Sequence, residues 1–220
     1  TTVVAFVGIF KIFTLPGLNK TILREGSKDI NKMGDIMENT VGIKNLLAIF
    51  AILLCISSSF FVSYSTVVKF YIILFSFDLF YKSSNEFFCN VYIAAEEMKY
   101  ISWLSIFNRF LFVSLSIIFL YYGYGILILF LISLFSHIIS LILAYYYSKN
   151  FVVFNFWSKV QLDKSFLRSG LTFSVLGITA VLASRIDILM ISFLGNTNDV
   201  GVYAVAFKID QIGVTLRNII

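Results

Sequence analysis

Seven charged side chains stand where an otherwise apolar chain would have to handle a charged solute or hide a charge. Asp78, Lys82 and Glu86 follow one another at i, i+4 and i+8 inside an apolar run, a spacing that puts all three on one helix face. Arg185 and Asp187 lie inside a second run, residues 170–194, and Lys208 and Asp210 inside a third, 200–220. A charge at the centre of a lone membrane helix costs about 2.5–3.5 kcal/mol on insertion scales, so such groups are held in a bundle or a wet cavity. Two readings stay open. The charges line a polar cavity that guides an anionic or sugar-bearing substrate, or they form ion pairs that lock helices together. The acid-base-acid order at 78, 82 and 86 neutralises most of its own charge under either reading. Arg185 and Asp187 are two residues apart and point about 200° apart on a helix. One of them is expected to face the cavity and the other a neighbouring helix.

Reaction chemistry is not legible. The sequence carries no phosphate-binding glycine loop, no His/Cys cluster at metal-ligand spacing and no nucleophile elbow. No catalytic residue, metal or cofactor is expected, and the chain is not expected to be an enzyme. The one histidine, His137, reads as an interhelical hydrogen-bonding residue more readily than as a ligand. Cys55 and Cys89 sit in apolar runs and read as small core residues. The net charge of +5 is spread over short loops, so nucleic acid is not an expected partner.

The elements that must position these groups are membrane helices. Of 220 residues, 59% are hydrophobic and 13% charged, and the mean hydropathy is +0.91, outside the range of soluble domains. The expected fold is all-α, a polytopic transmembrane helix bundle. Apolar runs predict about seven spans: residues 1–23, 45–66, 67–95, 101–122, 126–147, 170–194 and 200–220. Pro16 in the first run reads as a hinge or as a helix end, with the helix end preferred. Residues 24–44 are polar, with Ile30, Met33, Met37 and Val41 at helical spacing, and read as an amphipathic connector at the membrane surface. Tyrosines at 121, 122 and 124 and at 145–147 suit the two interfaces. Basic residues concentrate after the first, third and fifth spans, so those connectors are expected in the cytoplasm and residues 195–199 outside. The apolar ends at Thr1 and Ile220 suggest a piece of a longer protein.

Leu15-Pro16-Gly17-Leu18 with Ile22-Leu23-Arg24, Ala94-Ala95-Glu96-Glu97-Met98-Lys99-Tyr100, Ser184-Arg185-Ile186-Asp187, Leu194-Gly195 and Val200–Lys208 carry a family pattern. The chain resembles the polysaccharide flippase branch of the multidrug/oligosaccharidyl-lipid/polysaccharide exporter superfamily. The resemblance spans essentially the whole chain and is most specific from Asp187 to Lys208. It implies a two-lobed transporter of 12–14 helices. Residues 1–147 would then be five spans of the N-terminal lobe, 148–169 the cytoplasmic bridge, and 170–220 the start of the C-terminal lobe. The implied substrate is a lipid-linked oligosaccharide carried across the plasma membrane, with membrane lipids as partners and room for a coupling ion. A pyrophosphate linker needs a cationic partner, which assigns Arg185 to the cavity and pairs Asp187 with a base such as Lys208. A drug or organic-cation antiporter of the same superfamily, and a membrane enzyme or scaffold of polysaccharide assembly, remain the alternatives.

Overall fold

The computed structural model describes residues 2–14, 16–62 and 64–152, with a few positions beyond, among them Gly170, Ser174, Ile191 and Tyr203. Seven α-helices cover the described residues: α1 (Thr2–Phe10), α2 (Pro16–Gly26), α3 (Met33–Phe61), α4 (Thr66–Ser76), α5 (Asp78–Ala94), α6 (Met98–Tyr121) and α7 (Ile126–Ser148). There is no strand among them. Three helical stretches are long and apolar enough to cross a membrane: residues 30–61, 98–121 and 126–148. A fourth forms if α1 and α2 count as one span broken by a 51° bend. The apolar composition and this bundle make the chain a membrane protein.

The helix end expected at Pro16 is a bend instead. Lys11–Thr14 tighten into a 3-10 turn and the Thr14 hydroxyl donates back to the Lys11 carbonyl at 2.8 Å. The chain then re-enters a helix at Pro16, where a first-position proline gives up an N–H that would have had no partner. The free N–H of Gly17 donates to Ser174 Oγ at 3.2 Å, so a serine far along the chain caps α2. A Cβ at Gly170 would come within 2.4 Å of Leu18 Cδ2, which is why a residue without a side chain stands there.

The surface connector expected over 24–44 is also corrected. From Met33 the helix runs unbroken into the next apolar run and ends at Phe61. Met33, Met37 and Val41 do not rest on lipid. They pack with Ile22, Phe87, Phe88, Val91, Tyr92, Leu104 and Ala144 in one core cluster. Nothing between 33 and 61 is a proline, and the apolar stripe meets partners on α2 and α5, so there is no reason for the helix to peel away.

The third expected span, 67–95, divides at Phe77 into α4 and α5. The Ser76 hydroxyl donates to the Ile73 carbonyl at 2.7 Å, and Phe80 N–H takes a 3-10 bond to Phe77 O at 3.1 Å. Serine bonding of this kind loosens and bends a helix. The break leaves Asp78 in the first turn of α5, where a carboxylate suits the helix dipole.

Helices α5 and α6 end alike. After α6, Gly123 takes φ +82°, its N–H donates to Leu120 O at 3.0 Å, and Tyr124 N–H donates to Phe119 O at 3.2 Å. After α5, Glu96 takes φ +59°, with Glu96 N–H to Ile93 O at 3.1 Å and Glu97 N–H to Tyr92 O at 2.8 Å. Both are Schellman caps, whose left-handed position favours glycine. Glu96→Gly is therefore expected to stabilise the protein by about 0.5–1 kcal/mol, read as a raised unfolding midpoint in detergent or bicelles.

Candidate functional site

Two apolar clusters sit at opposite ends of the bundle. One joins Val3, Phe6 and Val7 of α1, Ala51, Ile52 and Cys55 of α3, Ile72 and Phe75 of α4, and Leu79 of α5, with Phe130 of α7 against it. The other is built on Ile22, Met33, Met37, Val41, Phe87, Tyr92 and Ala144. Tyr92 ties its α5 and α7 walls, the hydroxyl donating to Ala144 O at 2.5 Å. Along every helix that contributes to both clusters, a polar residue falls between them. These are Lys44 on α3, Lys82 and Glu86 on α5, and His137 midway along α7, with Asp78 joining them from one residue before Leu79 of the first cluster. Lys11 and Asn19 do the same on either side of the α1–α2 bend.

The layer has two parts. In the first, Asn19 is the hub. Its Nδ2 donates to Glu86 Oε2 at 2.8 Å, and its Oδ1 accepts from Lys44 Nζ and, more weakly, from Asn90 Nδ2 at 3.5 Å. Lys11 Nζ pairs with the other Glu86 oxygen. Lys44 is 2% exposed, and its ammonium lies 5.6 Å from the Phe87 ring centroid, an attraction that offsets part of its desolvation. The one described carboxylate in this part already holds Lys11, so Lys44 is met by a neutral amide oxygen. Asn19 and Lys44 carry no functional expectation in the sequence reading above. A signal existed for Lys44, which continues the buried stripe Met33, Met37, Val41 by three residues.

In the second part, Asp78 is fully buried. One carboxylate oxygen lies 2.6 Å from Lys82 Nζ and the other 2.6 Å from His137 Nδ1. The imidazole stacks on Tyr81, centroids 4.0 Å apart and planes 3° from parallel. Lys82 Nζ also lies 5.7 Å from the Phe75 ring centroid. The structure thus brings Asp78 and Lys82 together, as the i, i+4 spacing requires, and directs Glu86 to α2 and to Lys11 instead. Arg109 is exposed, while its neighbour Asn108 donates to Ser136 O at 3.0 Å across α6 and α7. Arg185, Asp187, Lys208 and Asp210 lie outside the described residues, as does the bridge expected over 148–169 from residue 153 onward, while its first residue, Ser148, closes α7.

Chemically, this layer can hold an anion or bind and release protons. Among the described residues no three His, Cys, Asp or Glu side chains could hold a metal ion.

A protein-family model described as Polysaccharide biosynthesis protein matches residues 1–220. The chain belongs to that family. The family lies within the multidrug/oligosaccharidyl-lipid/polysaccharide exporter superfamily. No curated protein and no solved structure matched the chain. The polysaccharide biosynthesis family and the apolar helices together place this polar layer inside a membrane protein of polysaccharide assembly.

Proposed function

We propose that this protein flips a lipid-linked oligosaccharide across the plasma membrane by alternating access, as a multi-pass transporter that performs no reaction on the sugar. The observation that carries the reading is Lys44, a buried ammonium with an amide oxygen in place of a carboxylate. The described layer holds three cations, Lys11, Lys44 and Lys82, against two carboxylates, Asp78 and Glu86. That surplus suits the phosphate of a lipid carrier and disfavours an organic cation. The amides of Asn19 and Asn90 can replace the water lost by sugar hydroxyls, which cross hydrocarbon only with such partners. Transporter sites commonly lie near the bilayer midplane between two lobes, and this layer lies midway between the apolar ends.

The protein in liposomes should move a fluorescent lipid-linked oligosaccharide to the leaflet where a glycan-cleaving enzyme can reach it. Movement of a cationic dye but not of the glycan lipid would favour the antiporter. The orientation is tested separately. A cysteine at exposed Lys32 is expected to be shielded from an impermeant thiol reagent in intact cells, and one at Asp199 to react. The reverse pattern sinks the topology.

A further inference from the structure

Arg109 takes no part in the polar layer. We infer that it anchors a phospholipid-binding site on the outer wall of α6, which takes an anionic headgroup such as phosphatidylglycerol from the leaflet at the Lys99 end of the helix.

Arg109 is the twelfth of the 24 residues of α6, about 16 Å along a helix that rises about 1.5 Å per residue. Half of a bilayer core is about 15 Å, so its Cα lies near the midplane. It is exposed, as are Ile106 and Phe110 beside it, and among the described residues it meets no acid. The helix does not roll to hide it. Asn108, about 100° around, is held inward by its bond to Ser136 O on α7, and Leu104 is buried on that same inner side.

A charge facing lipid at that depth is held only where it finds a partner or water. Side chains on a helix lean toward its N-terminus, here toward Lys99. Arg109 is thereby directed along the wall that carries Ser105 and Ser102, both exposed and within about 40° of it on the helix. These two hydroxyls and then Lys99 make a polar track from the guanidinium to the end of α6. Past Arg109 the wall is Val113, Ile117 and Leu120, all exposed, so the track opens to one leaflet alone. A phosphate offers the paired oxygens that a guanidinium fork binds, and the serine hydroxyls supply further donors.

The charge pattern selects the occupant. Between residues 98 and 150 the chain carries Lys99, Arg109 and Lys149 and no acid. A second copy docked through this wall would set guanidinium against guanidinium with no carboxylate between them. The ammonium of a zwitterionic headgroup finds no acid either, since Glu97 already holds Lys99 at 2.7 Å. The described positions later in the chain lie elsewhere, with Ser174 at Gly17 of α2, and Ile191 and Tyr203 against Ala5 of α1.

Trp103, 53% exposed on the same helix, reports on the lipid beside it. The chain has two tryptophans, so Trp157→Phe leaves Trp103 as the sole emitter. In vesicles of that protein, brominated phosphatidylglycerol should quench Trp103 at about one-fifth of the mole fraction that brominated phosphatidylcholine needs, the contribution of one basic residue at an anionic lipid. Arg109→Leu removes a charge from a lipid-facing position and should make the two lipids equal, while Arg109→Lys should keep part of the preference. Equal quenching by both lipids before any change at 109 overturns the site. A preference that survives Arg109→Leu and falls in Lys99→Gln belongs to the membrane surface and overturns it too. Dimerisation that requires Arg109, read by single-molecule photobleaching in the same vesicles and unaccompanied by a lipid preference, gives the wall to a second copy and overturns the lipid. None of these readouts depends on transport, so the flippase reading is decided apart from them.

Discussion

Lys44→Met is expected to cut glycan-lipid flux about ten- to a hundredfold, the loss of one charge-assisted hydrogen bond of about 1.5–3 kcal/mol. The folded protein should persist at wild-type amount or above. Lys44 is buried at 2% exposure, and methionine has similar length and no charge to desolvate. Replacing buried charge with a well-packed apolar side chain is often neutral or stabilising. The groups left behind are not orphaned. Asn19 Oδ1 keeps Asn90 as a donor, and Asn19 Nδ2 keeps Glu86. A purely structural Lys44 would behave the opposite way, with stability falling and flux per folded molecule unchanged. Flux in liposomes beside thermal unfolding in detergent separates the two. Lys44→Met at full flux removes the cationic layer as the seat of substrate recognition.

The second large effect is at Asp78. Asp78→Ala is expected to destabilise the protein by about 3 kcal/mol, the lower end for breaking a buried ion pair, because Lys82 is one-third exposed and can turn partly to water. For a chain of this size that is a fall in unfolding temperature of about 6–12 °C. The residue removed is the one that holds α5 to α7, since its second oxygen meets His137. Exchanging the charges, Asp78→Lys with Lys82→Asp, restores the i, i+4 pair but sets an ammonium against the imidazole. Recovery should therefore be partial at best, and adding His137→Gln should improve it. An exchange that recovers fully without touching position 137 would mean that the α5–α7 contact carries no weight.

The sequence by itself determined the class of this protein. Long apolar runs with few charges admit only membrane helices, because each helix satisfies its own backbone bonds and needs no partner to be recognised. It also determined that Asp78 and Lys82 would meet, since four residues along one helix is a local distance. The family pattern was legible for the same reason, as a string of short local motifs. Only the tertiary structure decided what each charge faces. Glu86 stands on the same helix face as Lys82, yet its partners Lys11 and Asn19 come from either side of the α1–α2 bend, 67 residues away for Asn19. His137 finds Asp78 only because α5 and α7 pack side by side. Lys44 becomes a buried cation only because the polar stretch before it is absorbed into α3 and covered by Phe87, Phe88 and Tyr92. A hydropathy profile scores each residue against water or lipid, and a polar layer is made of contacts between helices far apart in the chain.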